Sequence, residues 1–211
     1  MNILAHRGLW EKPFDKNSLD ALGLALELGV GVETDVRDHN GILVISHDPC
    51  CGAGYTRLED LFIRYNEIGS SNCLAINIKS DGLAAMLNRL LARYEISNYF
   101  VFDMSVPDLM DHVKNGNKVL ARLSDYEPVS RLAEMVAGFW VDEYVSFRPS
   151  AEFLSRQIEN QKIFAFVSKE LHGSDHAPRW DYCWRLSSTY PKYDKFFVCT
   201  DLVREAKSYF K

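Results

Sequence analysis

Asn2-Ile3-Leu4-Ala5-His6-Arg7-Gly8, then Asn17-Ser18-Leu19 opening a stretch that runs to residue 28, then Val30-Gly31-Val32-Glu33-Thr34-Asp35-Val36, set the pattern for the whole chain. The first and last of these are short apolar runs without strict alternation, the kind that suits strands buried on both faces. Between them Leu19, Leu22 and Leu26 recur at helical spacing, with Asn17 as the expected N-cap and Gly29 as the stop.

Similar apolar runs recur at 73–79, 99–103, 118–123, 139–143, 162–167 and 195–200, which brings the expected strands to eight. Helix-like segments lie at 83–94, 107–114, 128–136, 150–160 and 201–209. Strand–helix alternation at this count predicts an α/β fold, a (β/α)₈ TIM barrel in a single domain spanning residues 1–211. A doubly wound open sheet is the alternative, but it normally uses fewer strands, and the chain has no glycine-rich dinucleotide fingerprint.

Composition narrows the function classes. The chain carries 24 basic and 29 acidic residues, a net charge of −5, with no basic block, so no nucleic-acid partner is expected. No apolar stretch has the length of a membrane span, and the first residues lack the order of a signal peptide. The five cysteines are an odd number, which fits a reducing compartment, and a cytoplasmic location is expected. Cys50 and Cys51 read as two loop thiols.

Polar residues gather where the apolar runs end. His6-Arg7 follow the first. Glu33 and Asp35 lie two apart in the second, so their side chains leave the same strand face, and Asn77 and Lys79 repeat the arrangement in the third. Asp103, Arg122, Asp142-Glu143 and Thr200-Asp201 end later runs. In a barrel these ends converge on one mouth. Solvent-facing strand ends are polar in any case, which accounts for Arg122 and Glu143 but poorly for the inward pairs. Two carboxylates on one buried face repel unless a cation or a shared proton lies between them. A hard divalent cation, Mg²⁺ or Ca²⁺ and conceivably Mn²⁺, meets that need with oxygen ligands. Two histidines, His6 and His47, can give and take a proton, and Arg7 can fork onto phosphate oxygens. These residue types together equip a site for metal-assisted phosphodiester cleavage.

Four segments in this order and spacing resemble the N-terminal signature of glycerophosphodiester phosphodiesterases, in the superfamily of phosphatidylinositol phospholipase-like phosphodiesterases. They are Ala5-His6-Arg7-Gly8, Asn17-Ser18-Leu19, Val32-Glu33-Thr34-Asp35-Val36-Arg37 and Gly41-Ile42-Leu43-Val44-Ile45-Ser46-His47-Asp48-Pro49. Ile76-Asn77-Ile78-Lys79 and Val198-Cys199-Thr200-Asp201 extend the likeness more loosely. The resemblance implies a (β/α)₈ barrel and a metal-dependent phosphoric diester hydrolase acting on a small or lipid-derived phosphodiester. It implies that His6 and His47 are the acid/base pair, that Arg7 and Lys79 bind phosphate, and that Glu33 and Asp35 ligate the cation.

The chain departs from the family pattern at two points. Asn77 stands where the third carboxylate ligand is usual, so one ligand brings no charge. Only residues 49–57 separate His47-Asp48 from the next helix-like segment, where the family's glycerol-directed members carry a long insertion. The later segment Ser168-Lys169-Glu170-Leu171-His172-Gly173 follows the seventh run, and His172 is expected to bind substrate, with Trp180 and Trp184 either lining a pocket or packing on the rim. A second functional class stays open: a phosphodiester- or phosphate-binding module with weak or lost catalysis.

Overall fold

The apolar runs form strands, and the order in which those strands pair sets the architecture. A computed structural model describes residues 1–211. Its strands are β1 (Asn2–His6), β2 (Gly31–His39), β3 (Ile42–Ile45), β4 (Leu74–Ile78), β5 (Tyr99–Phe102), β6 (Leu120–Leu123), β7 (Gly138–Val141), β8 (Ile163–Val167) and β9 (Phe196–Thr200). Its helices are α1 (Leu19–Glu27), α2 (Leu58–Ile68), α3 (Ala84–Arg93), α4 (Val106–Lys114), α5 (Ala151–Glu159), α6 (Ala177–Thr189) and α7 (Val203–Tyr209). The chain divides into two compact units, Ala5–Val119 and Met1–Leu4 with Leu120–Lys211.

In the first unit the strand order is β5-β4-β2-β1, and β2 pairs with β4 and β4 with β5 in parallel. The residues leading into β6 return to β5, where the Val101 N–H donates to the Lys118 carbonyl at 2.8 Å. In the second unit the order is β1-β9-β8-β7-β6, again with parallel pairs. Eight parallel strands in this order, each followed by a helix or helical turn, make a (β/α)₈ barrel. The β2–β4 register matters most for function, because it sets Asp35 opposite Asn77 and Glu33 opposite Ala75. No helix is long and apolar enough to cross a membrane.

α6 is a helix that the sequence reading did not name, and four further features differ from that reading. β3 is an extra strand, antiparallel to β2. Its turn is Asn40-Gly41, both at positive φ (51° and 79°), the residue pair that tight hairpins favour. The N-cap of α1 is Ser18, whose Oγ accepts the Ala21 N–H at 3.1 Å, and Asn17 turns its side chain elsewhere. Segment 128–136 forms only a four-residue 3₁₀ turn, Arg131–Glu134, capped by Ser130. Glu143 is buried rather than solvent-facing, and its Oε2 lies 2.5 Å from Nη2 of the fully buried Arg179 on α6.

Two positions in the first unit lend themselves to stability measurements. Gly8 has φ +93°, and a Cβ there would lie 2.6 Å from the Ala21 carbonyl carbon. Gly8→Ala is therefore expected to cost at least ~2 kcal/mol in urea unfolding, from left-handed strain and backbone overlap together; a loss under ~0.5 kcal/mol sinks this account.

His112 on α4 is completely buried, with Asn117 Nδ2 donating to its Nδ1 at 3.1 Å and Asp108 Oδ2 3.4 Å from its Nε2. Burial pushes its pKa below the ordinary 6.5, against the opposing pull of Asp108, Asp111 and Asp81. As pH falls through 6.5 the unfolded chain takes up this proton first, so the folded state loses stability by up to ~1.4 kcal/mol per pH unit. His112→Gln should show a shallower decline between neutral and mildly acid pH, and equal slopes would exclude His112 as the cause.

Candidate active site

The site is built around two carboxylates that water does not reach. Glu33 is 1% exposed and Asp35 is fully buried, both on the same face of β2. Their charges are answered from neighbouring strand ends. Arg7 Nε lies 2.8 Å from Asp35 Oδ2, and Asn17 Nδ2 donates to the same oxygen at 2.8 Å. Lys79 Nζ lies 3.6 Å from Asp35 Oδ1 and 2.8 Å from Asp103 Oδ2. Around Glu33 the partners are weaker. Asn77 Nδ2 donates to Oε1 at 3.2 Å, the Arg7 N–H donates to Oε2 at 3.3 Å, and His6 Nε2 is 4.0 Å away.

The electrostatic result is uneven. Burial and then the nearby Asp35 push the Glu33 carboxyl up to about 7, while His6, Arg7 and the Asn77 amide pull it down. Glu33 therefore keeps its proton more readily than an ordinary glutamate, while Asp35 has Arg7 and Lys79 beside it.

The backbone is bent to make this group. Arg7 sits at φ +58°, Asn17 at +63° and Asp103 at +75°, all in the left-handed region that costs a non-glycine residue strain. Arg7 is pinned on both sides, its N–H donating to the Glu33 carbonyl at 3.0 Å and its own carbonyl accepting from the Asn17 N–H at 2.9 Å. The Lys79 N–H donates to the Val36 carbonyl at 2.9 Å, which carries the third strand's end alongside β2.

His47 is placed by the β2–β3 hairpin and the loop after it. The Ser46 N–H donates to the Asp35 carbonyl at 3.0 Å. Arg37 closes on the His47 carbonyl with Nε and Nη2 at 3.1 and 2.9 Å. His47 Nδ1 lies 2.8 Å from Asp48 Oδ1, a neighbour able to set the ring's tautomer and orientation.

His6, Arg7, Glu33, Asp35, Asn77 and Lys79 thus form one contact group, with His47 on a loop tied to its edge. His172 lies in the other unit, on the turn Lys169–His172, with Nε2 2.7 Å from Asp142 Oδ1 and its ring against Tyr144. Trp180 packs on Tyr209 and Phe210, and its Nε1 donates to Ser168 Oγ, so it belongs to the core of that unit. Arg37 and Asn17 escaped the sequence reading as site residues. Asn17 passed for an N-cap because it stands next to the true one.

The donor set suits a hard cation. Asp35 Oδ1 and Asn77 Oδ1 are buried acceptors with no hydrogen-bond partner, and such orphaned oxygens call for a ligand or water. No three His, Cys, Asp or Glu side chains converge as a metal cluster. With Asn77 in the third place, Glu33, Asp35 and Asn77 are the residues that could hold a divalent ion, through two carboxylates and one neutral amide.

No protein-family model matches the chain, and no curated protein sequence matches it. Solved structures do resemble it. A glycerophosphodiester phosphodiesterase from Parabacteroides distasonis aligns with a TM-score of 0.75 at 17% identity, covering 99% of this chain and 96% of its own. One from Agrobacterium tumefaciens gives 0.65 at 14%, covering 95% and 96%. A phosphodiesterase from Oleispira antarctica, solved with the product sn-glycerol-3-phosphate, gives 0.64 at 16%, covering 99% and 96%. At these identities the likeness establishes the fold.

The neutral amide supplies a direct measurement. Asn77→Glu sets a third carboxylate beside Glu33, so the metal-free variant should melt below wild type. Its Mg²⁺ affinity should rise by roughly ten-fold or more, about 1.4 kcal/mol. An unchanged or weaker calorimetric affinity in folded protein places Asn77 outside any metal shell.

Proposed function

We propose that the chain is a metal-dependent phosphoric diester hydrolase of the glycerophosphodiester phosphodiesterase kind, cleaving a small or lipid-derived phosphodiester. The observation that carries this reading is the contact group in which Arg7 and Lys79 stand over two buried carboxylates beside His6. The structural neighbours support it, including the one holding sn-glycerol-3-phosphate, which suggests a glycerol phosphate-like product here. Free cysteines throughout agree with a reducing, cytoplasmic setting.

The residues divide the work by their chemistry. The Arg7 guanidinium offers a planar fork for two phosphate oxygens, and Lys79 adds a point charge. Asp35 and Asp103 hold these cations in place until the anion arrives. A divalent ion bound at Glu33, Asp35 and Asn77 would supply Lewis-acid neutralisation of the phosphate. His6 and His47 are the proton-transfer groups, one withdrawing a proton from the attacking oxygen and the other protonating the leaving alcohol. Asp48, against His47 Nδ1, leaves Nε2 as the working nitrogen of that ring. In the other unit, Asp142 orients the His172 ring through its Nε2 at 2.7 Å.

One observation favours a second reading, a phosphate-binding module with little turnover: the uncharged Asn77 weakens the metal site. A panel of glycerophosphodiesters and bis(p-nitrophenyl) phosphate with Mg²⁺, Mn²⁺ or Ca²⁺, scored for alcohol release, separates the two. The hydrolase reading expects metal-stimulated release. It also expects His6→Ala and His47→Ala each to lower turnover by roughly 10²–10⁴-fold with folding intact. Tight phosphate binding with no release under any metal supports the module instead, and near-wild-type turnover in either variant ends the two-histidine scheme.

A further inference from the structure

Asn17 is the polar residue at the site whose role neither fold nor motif explains. It lies between β1 and α1 and does not cap the helix, since Ser18 does. Its φ is +63°, a conformation that glycine adopts freely and that asparagine tolerates best among the others. The position thus gains a turn and keeps a side chain, and that side chain is fully engaged. Nδ2 donates to Asp35 Oδ2 at 2.8 Å, Oδ1 accepts from Thr34 Oγ1 at 2.9 Å, and the Asp35 N–H approaches the same oxygen at 3.4 Å. The Asn17 N–H holds the Arg7 carbonyl at 2.9 Å. Thr34 and Asp35 are both fully buried.

From these contacts we infer that Asn17 is a positioning residue. It locks the Asp35 carboxylate in the rotamer that aims Oδ2 at Arg7 and leaves Oδ1, 3.6 Å from Lys79 Nζ, without a hydrogen bond and able to meet a metal cation. The Asp35 carboxylate, which can only accept, and the Asp35 N–H, which can only donate, set which way the amide faces, and the Thr34 hydroxyl, donating to Oδ1, adds to that hold. The chain is Thr34 to Asn17 to Asp35 to Arg7, and phosphate meets only its last member. This role rests on the phosphodiester reading of the site.

Two variants test it, each with the backbone kept. Asn17→Gly preserves the positive φ and the N–H to Arg7 and removes only the amide. Thr34→Val preserves shape and removes only the hydroxyl. The readouts are the dissociation constants of inorganic phosphate and of Mg²⁺, measured by calorimetry on the full chain well below its melting temperature. Asn17→Gly is expected to weaken both by roughly 10–100-fold, the usual scale for losing a residue that orients a ligand.

Thr34→Val is expected to weaken both by a smaller factor, and to add nothing when combined with Asn17→Gly, since it acts through the amide. Affinities unchanged in folded Asn17→Gly, with only the melting temperature lowered, make Asn17 a turn residue and overturn the proposal. So does full additivity of the two changes. Wild type that binds neither phosphate nor Mg²⁺ and cleaves no diester overturns the phosphodiester reading and this role with it.

Discussion

Two carboxylates buried two residues apart on one strand face govern the rest of this site. Neither Glu33 nor Asp35 reaches water, and burying two like charges side by side without compensation costs far more than the fold's net stability can bear. The surrounding residues answer that cost piece by piece. Arg7 and Lys79 bring positive charge to Asp35, while Glu33 receives the Asn77 amide, a backbone N–H and a distant imidazole. The imbalance between the two carboxylates raises the Glu33 pKa. It also makes Glu33 hold a proton more readily than an ordinary carboxyl.

The barrel supplies the geometry for this electrostatic arrangement. Parallel pairing of β2 with β4 sets Asp35 beside Asn77, so the amide is placed by strand register without any loop having to order itself. The strand-end loops then take left-handed turns at Arg7, Asn17 and Asp103. Each turn is strained, and each points a charged or amide group back over the strands. Strain held at several residues of one site is a form of preorganisation, since the groups are fixed in place by the backbone. The β2–β3 hairpin does the same for His47, which Arg37 fastens through its carbonyl.

Much of this was legible in the residues alone. Apolar runs without alternation identified the parallel strands, because a strand buried on both faces has no polar positions to interleave. His6, Arg7, Glu33, Asp35 and Lys79 stood out because charged residues at the ends of buried strands are costly unless they are paired or used. The extra strand β3 was also within reach, since Asn40-Gly41 followed by the apolar run Ile42–Ile45 is a hairpin signal. Segment 128–136 misled, because its helix-like pattern is realised only as the four-residue 3₁₀ turn Arg131–Glu134.

The sequence by itself determined the strand–helix alternation, the carboxylate pair on one strand face and the inventory of acid/base and cationic groups, because these follow from local periodicity and residue chemistry. Only the tertiary structure decided which cation meets which carboxylate. Asp103 pairs with Lys79, Asn17 reaches Asp35 from a turn, and Glu143 is drawn inward by a buried Arg179. The physical reason is that such partners come from elements far apart in the chain, so their meeting depends on strand register and loop conformation, which no local pattern encodes.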